Sequence, residues 1–73
     1  SDATDEILFI ECKWQDLTCR QAEKILGELK EKAKFVQWNS DARREYFGIV
    51  AKKIEGKSDL RIKGYGVFDL DDF

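Results

Sequence analysis

Two nearly continuous apolar runs, separated by one amphipathic segment, constrain the fold of this chain more than any other feature. The first run is Ile7-Leu8-Phe9-Ile10, and the second is Tyr46-Phe47-Gly48-Ile49-Val50-Ala51. Between them, apolar residues recur at the spacing of a helix with one buried stripe: Ala22, Ile25, Leu26, Leu29 and Ala33. Interior strands of parallel sheets have continuous apolar runs because both of their faces are covered. The pattern predicts a strand, a crossover helix and a second, parallel strand.

Local signals set the limits of the elements. The first strand is expected from Glu6 to Trp14, and Thr18-Cys19-Arg20-Gln21 is a capping box that opens the helix. A short helix is expected within Gly56 to Gly64, and a last strand from Tyr65 to Leu70. The sequence therefore predicts the α/β class, with a β-α-β-α-β core, a mixed sheet of about three strands and two helices.

The first strand has two different faces, because side chains alternate along a strand. One face would carry Leu8, Ile10, Cys12 and Trp14, and the other Ile7, Phe9, Glu11 and Lys13. Both faces begin apolar, so this strand is expected to be central and covered on both sides. Two helices are few to cover both faces of a sheet. The sequence also contains no methionine, so translation cannot start at Ser1. We therefore expect residues 1–73 to be a single partial domain, truncated at its amino terminus.

Composition excludes several classes of protein. The net charge is −2 over 73 residues, so the chain lacks the overall basic footprint of a stand-alone nucleic-acid binder. With no histidine and no Cys-x-x-Cys pair, a structural zinc site is not expected. Cys12 is expected to be a small buried side chain and Cys19 an ordinary thiol in the first helical turn, which fits a reducing, cytoplasmic location. No apolar run reaches the length of a membrane span, so no membrane contact is expected.

An acid and a base follow the first apolar run. Glu11 and Lys13 are two residues apart on a strand, so both point to one face, about 7 Å apart along the chain. Burying charged groups beside an apolar strand costs free energy, so such groups usually have an oppositely charged partner or a function. In a metal-dependent phosphodiesterase the carboxylate would hold a divalent cation and the ammonium would stabilise the phosphate. The alternative is a same-face ion pair at the end of a strand.

Three segments of the chain together resemble a known family. They are Ile-Leu-Phe-Ile-Glu-Cys-Lys-Trp, then Glu-Tyr-Phe-Gly-Ile-Val-Ala-Lys, and the closing Tyr-Gly-Val-Phe-Asp-Leu-Asp-Asp-Phe. The chain resembles the back half of the C-terminal domain of archaeal and bacterial ATPases, a domain of unknown function with a restriction-endonuclease-like fold. That fold belongs to the PD-(D/E)xK nuclease superfamily.

The resemblance implies roles for four residues. Glu11 would be the metal-binding acid, Lys13 the catalytic lysine, and the backbone carbonyl of Cys12 an additional ligand for Mg²⁺ or Mn²⁺. Gln21 would be the glutamine that some superfamily members carry on the following helix, although the capping box explains it equally well. The earlier acid of the superfamily is missing, because Asp2 and Asp5 lie too near the expected hairpin tip.

The resemblance also implies partners. The complete protein would carry an N-terminal ATPase module and would act on DNA, whereas this chain has no P-loop. The first hypothesis is a metal-dependent nuclease domain that is complete only in the full-length protein. The isolated chain would then bind no cofactor, be inactive and self-associate through its uncovered sheet. The second hypothesis is a non-catalytic module of an ATPase that binds protein or nucleic acid.

Other residues have a functional and a structural interpretation. Aromatic side chains could stack on bases, basic ones could bind phosphates and acidic ones could hold a cation, but packing and solvated surfaces are the more common roles. The aromatic candidates are Trp14 and Trp38, the basic ones Arg43, Arg44, Lys52 and Lys53, and the acidic ones Asp69, Asp71 and Asp72. Lys24, Glu28 and Lys32 are expected to form a charged ladder on the solvated face of the long helix.

Overall fold

A three-stranded parallel sheet with two helices against it forms the fold. The computed structural model describes residues 5–36 and 43–73. The strands are β1 (Glu6–Leu17), β2 (Arg44–Ile54) and β3 (Gly66–Phe68). The helices are α1 (Cys19–Ala33) and α2 (Lys57–Ile62), and a single 3₁₀ turn (Leu70–Asp72) follows β3.

The strands lie in the order β1-β2-β3, and both pairings are parallel. β1 and β2 pair from Glu6 beside Arg44 to Leu17 beside Ile54, with an irregularity between Lys13 and Asp16. The predicted α/β class, with three strands and two helices, is confirmed. Among the described strands only the parallel part of the predicted sheet is present.

The core lies between one face of the sheet and both helices. It consists of Leu17, Ala22, Leu26, Ile49, Ala51, Ile54, Leu60 and Val67. The predicted apolar stripe of α1 is confirmed, because Ala22, Leu26, Leu29 and Ala33 are buried and Ile25 packs against the core. Since Leu26 of α1 and Leu60 of α2 belong to this one cluster, both helices cover the same face of the sheet.

The ends of the helices follow the predicted signals. The backbone N–H of Gln21 donates to Thr18 Oγ1 (3.1 Å), and the N–H of Thr18 donates to Gln21 Oε1 (2.9 Å), so the capping box is confirmed. α2 ends just before Gly64, which has the positive φ (95°) expected of a glycine stop. The last strand is shorter than predicted, because Asp69 already caps the 3₁₀ turn.

The prediction that β1 is central and covered on both sides is wrong for the described sheet. β1 lies at its edge, and Leu8, Ile10 and Trp14 are exposed. Cys12 was expected to be buried and is exposed as well. The cause is common to all four residues: α1 and α2 pack on the opposite face.

Two charged residues expected at the surface are built into the structure instead. The guanidinium of Arg43 donates to the carbonyls of Ala33 (2.9 Å) and Val36 (2.8 Å) and pairs with Glu45 (2.6 Å). Arg43 thereby binds two carbonyls at and just after the end of α1, where carbonyls lack i+4 helical partners; the carbonyl of Ala33 also accepts the N–H of Val36 (3.1 Å). Asp69, expected in a hydrophilic chain end, is buried, because its carboxylate accepts from the backbone N–H of Ile54 (2.9 Å).

Candidate functional site

Glu11 and Lys13 lie on the helix-covered side of β1. Burial alternates along the strand: Ile7, Phe9, Glu11 and Lys13 are half-buried, while the residues between them are exposed. The predicted arrangement, in which the two charges share one face and Cys12 points away, is confirmed. α1 begins two residues after the irregular end of β1 and runs back along this face.

Glu11 and Lys13 do not form an ion pair with each other. Within residues 5–36 and 43–73, neither side chain has a hydrogen bond or salt bridge to any other described residue. The structural alternative, a same-face ion pair, is therefore not formed in this structure. Both groups remain available to a ligand, in a position where half-burial strengthens any charge interaction they make.

A cavity of about 250 Å³ opens between the end of β1 and the first half of α1. It is lined by Lys13, Gln15, Leu17, Gln21, Lys24, Ile25 and Glu28. The cavity brings together Lys13 and Gln21, two of the three residues predicted to be catalytic. Glu11 does not line it; it lies two residues before Lys13 on the same face of the strand.

Gln21 has a structural contact and a free donor. Its carbonyl oxygen accepts the N–H of Thr18 in the capping box. The amide nitrogen carries two further N–H donors, and no described residue accepts from them. The two interpretations of Gln21 are therefore compatible, because one end of the side chain caps α1 while the other is free to donate.

Lys24 and Glu28 line the same cavity, whereas they were expected on a solvated ladder. Both are exposed, and no salt bridge joins them in the described part of the chain. The sequence contained the signal for Lys24, because it lies three residues after Gln21 and therefore on the same side of the helix. Gln15 was also missed; it follows Lys13 by two residues on β1.

The metal ligands implied by the resemblance are incomplete among the described residues. No group of three or more histidine, cysteine or acidic side chains that could hold a metal occurs within them. Glu11 offers one carboxylate, and Cys12 was predicted to contribute only its backbone carbonyl, since its side chain lies on the far face and is exposed. Mg²⁺ is usually bound by one or two carboxylates together with waters and substrate phosphates. The residues present therefore match part of such a site.

The remaining candidates lie away from this cavity. Trp14 is 71% exposed on the opposite face of β1, and Trp38 and Asp2 lie outside the described residues. Lys52 and Lys53 are exposed, as a solvated face predicts. Cys19 is the first residue of α1, where burial and a hydrogen bond to Glu23 raise the pKa of its thiol.

Asp72 and Asp69 are joined to basic side chains. Asp72 pairs with Lys57 (3.2 Å) and Arg61 (3.1 Å), and Asp69 pairs with Lys57 (2.8 Å). These contacts tie the 3₁₀ turn to α2. The acidic end of the chain therefore has a structural role in this fold, and no cation is needed to neutralise it.

Comparison with known proteins finds a relative without an assigned function. The chain is 40% identical, over all 73 residues, to the uncharacterized protein MJECL04 of the archaeon Methanocaldococcus jannaschii. It spans only 16% of that relative's length. No family model and no solved structure matches the chain. In the described ranges, no helix is long and apolar enough to cross a membrane.

Proposed function

We propose that this chain contributes half of a metal-dependent nuclease site, which binds a phosphodiester of DNA beside α1. The supporting observation is that Lys13 and Gln21 line one cavity, with Glu11 on the same face of β1 and unpaired among the described residues. Half-buried charged groups that have no structural partner are candidates for a function.

Each residue has a distinct role in the proposal. The ammonium of Lys13 binds a non-bridging phosphate oxygen and stabilises the charge that develops on it. The amide of Gln21 donates to the phosphate or to the attacking water. The carboxylate of Glu11 holds one position of a Mg²⁺ or Mn²⁺ ion, and the carbonyl of Cys12 is an expected further ligand. Lys24 adds a second positive charge at the mouth of the cavity.

Hydrolysis requires a second acid from outside the described residues. One carboxylate does not fix two metal ions, or one metal ion and an oriented water. We therefore expect the isolated chain to hold no resident metal ion, to bind added metal ions and DNA only weakly, and to cleave nothing. In a longer protein, an acid on a strand next to β1 would complete the site, and an ATPase module of the same polypeptide would be its partner.

Manganese binding provides the sharpest test of Glu11. In a ¹⁵N-labelled chain, Mn²⁺ should selectively broaden the amide resonances of residues 11 to 13. Glu11→Gln should abolish that broadening, whereas the matched control Glu31→Gln, at an exposed position on α1, should leave it unchanged. Equal broadening in both variants would contradict the proposed role of Glu11.

Phosphodiester binding is tested separately, without metal. Fluorescence anisotropy with a short labelled DNA at low salt should show several-fold weaker binding for Lys13→Ala and Lys24→Ala than for the wild type. Lys32→Ala provides a control on α1, because Lys32 does not line the cavity. If Lys13→Ala and Lys24→Ala bound DNA as tightly as the control Lys32→Ala, the cavity would not be the phosphate site.

A second candidate function is a non-catalytic interaction module of an ATPase. The exposed apolar side chains on the far face of the sheet favour it, because contiguous apolar patches mark interaction sites. In that case the Glu-x-Lys segment would be retained without a ligand. Selective broadening by Mn²⁺ together with weaker DNA binding of Lys13→Ala would argue against this candidate.

A further inference from the structure

The face of the sheet opposite the helices is apolar and uncovered among the described residues. The exposed fractions are 57% for Leu8, 50% for Ile10 and 71% for Trp14 on β1. Tyr46 on β2 is 40% exposed, and Phe68 on β3 is 46% exposed. Single exposed apolar side chains are ordinary, but five on one face of three adjacent strands form a patch.

The strand register makes this patch continuous. Leu8 lies beside Tyr46 and Ile10 beside Gly48, while Val50 lies between Cys12 and Phe68. Neighbouring strands are about 4.8 Å apart, so side chains in these rows are in contact range of one another. Gly48 and Gly66, which also pair, have no side chains and leave the centre of the patch flat.

On β1 and β2, the charged residues of this face lie at the two ends of the patch, and the guanidinium of Arg61 on α2 lies 6.0 Å from the ring centroid of Phe68 on β3. On β2, the residues that alternate to the uncovered face are Arg44, Tyr46, Gly48, Val50 and Lys52. On β1, the same face begins at Glu6 and then carries only apolar side chains and Cys12 up to Trp14. At the amino end of the patch, Glu6 on β1 therefore lies beside Arg44 on β2, and the carboxyl end on β2 carries the positive charge of Lys52.

We propose that this uncovered sheet face binds a second copy of the same chain, face to face, in a two-fold symmetric dimer. The patch is self-complementary, since apolar rows meet apolar rows when two sheets stack about 10 Å apart. If the strands of the two copies run in opposite directions, the Lys52 end of one copy faces the end of the other copy that carries both Glu6 and Arg44.

The exposed area of the patch suits a stable dimer. Taking about 200 Å² for each large side chain, the exposed fractions amount to roughly 500 Å² of apolar surface per copy. Two copies would remove about 1,000 Å² from water before any rim residue is counted, which is about the size at which specific interfaces begin. In a monomer, this exposed apolar area would equal that of the largest apolar patches on typical monomeric proteins, roughly 300–600 Å².

The dimer leaves the proposed phosphodiester site open. Lys13 and Gln21 line a cavity on the helix-covered side, and the proposed interface lies on the other side of the sheet. Dimerisation and DNA binding can therefore succeed or fail independently of each other, and their tests use different residues.

Sedimentation equilibrium of the full 73-residue chain, over a range of micromolar to millimolar concentrations, tests this proposal. The wild type should show a reversible monomer–dimer equilibrium. Ile10→Lys, at the centre of the patch, should weaken the dimer at least tenfold. Ile62→Lys is the matched control, because Ile62 is 83% exposed on α2, away from the sheet face. It should leave the equilibrium unchanged.

A second variant keeps the test decisive if Ile10→Lys fails to fold. Trp14→Lys replaces the most exposed side chain on the β1 part of the patch, and circular dichroism should show a native spectrum. A wild-type chain that stays monomeric at millimolar concentration would overturn the proposal. So would a dimer that survives in Ile10→Lys and Trp14→Lys, because it would form through the free edge of β1 or another surface.

Discussion

The ammonium of Lys57 lies 2.8 Å from Oδ1 of Asp69, a carboxylate that is 1% exposed. The other carboxylate oxygen of Asp69 accepts the backbone N–H of Ile54 at the end of β2 (2.9 Å). Asp69 thereby joins β2, α2 and the 3₁₀ turn through one side chain. A buried carboxylate is stable only with such partners. These hydrogen bonds therefore hold the segment that follows β3 against β2 and α2.

Removing Asp69 should destabilise the chain more than removing its exposed neighbour. Asp69→Ala leaves the N–H of Ile54 without its acceptor and removes one of the two carboxylates that bind the ammonium of Lys57. We expect the thermal midpoint to fall by several degrees or more, as followed by circular dichroism. Asp71→Ala is the matched control, since no side-chain contact of Asp71 joins it to another element, and its midpoint should change little.

Stability should fall as the pH is lowered into the acidic range. The hydrogen bond from Lys57 is the largest cause that lowers the pKa of Asp69, and the backbone N–H of Asp69 is the largest cause that lowers the pKa of Asp72. A carboxyl whose folded pKa is below its unfolded value stabilises the fold above that unfolded value, near 3.8. The contribution is lost as the pH falls through the folded pKa.

Urea unfolding at a series of pH values measures this dependence. The wild type should lose stability steadily below about pH 4, where the unfolded state binds more protons than the folded state. Asp69→Asn should have a flatter dependence and lower stability at neutral pH. An unchanged slope in this variant would contradict the assignment.

Gln21→Glu should separate the structural role of Gln21 from its proposed ligand role. A glutamate at this position can still accept the N–H of Thr18, so the capping box and the stability should be preserved. It has no N–H donor and adds a negative charge beside Lys13 and Lys24. DNA binding should therefore weaken several-fold, whereas Thr18→Ala should cost about 1 kcal/mol of stability with little effect on binding.

Replacing two glycines by alanine should have opposite effects. A Cβ on Gly27 would have no atom within 4 Å, and the residue lies inside α1. Gly27→Ala should therefore stabilise the chain by up to about 1 kcal/mol, because alanine is the better helix former. Gly56 has φ of +74°, and a Cβ there would lie 2.9 Å from Cβ and Sγ of Cys19.

Gly56→Ala should consequently destabilise the chain by about 1 kcal/mol or more, through backbone strain and overlap with Cys19. Parallel chemical denaturation of both variants measures the contrast. Gly27 is exposed on α1, with open space where a Cβ would lie. A destabilised Gly27→Ala variant would mean that α1 packs more tightly at this position than the structure shows.

The elements that depend on neighbours in sequence were predictable. Thr18 and Gln21 are three residues apart, and their capping box depends only on the local backbone at the start of a helix. Glu11 and Lys13 share a face because a strand has a period of two residues. The candidate site could therefore be predicted as far as Glu11, Lys13 and Gln21. Lys24 was missed because it was assigned to a solvated charged ladder, although it lies three residues after Gln21 and therefore on the same side of the helix.

The exposure of Cys12 and the burial of Asp69 were not predictable by the same reasoning. Cys12 lies in an apolar run that suggests cover on both faces, yet both crossover helices pack on the other side of the sheet. Asp69 lies in an acidic segment that suggests solvent, yet its carboxylate reaches the N–H of Ile54, fifteen residues away in sequence. In each case the deciding contact joins distant parts of the chain.

The amino-acid sequence by itself determined the order of strands and helices, their caps, and which side chains share a face of β1. These follow from backbone periodicity and from hydrogen bonds within three or four residues. Only the tertiary structure decided which face of the sheet is covered, that β1 is an edge strand among those described, and that Lys13 and Gln21 line one cavity. The physical reason is that these features depend on the side of the sheet against which α1 and α2 bury their apolar stripes.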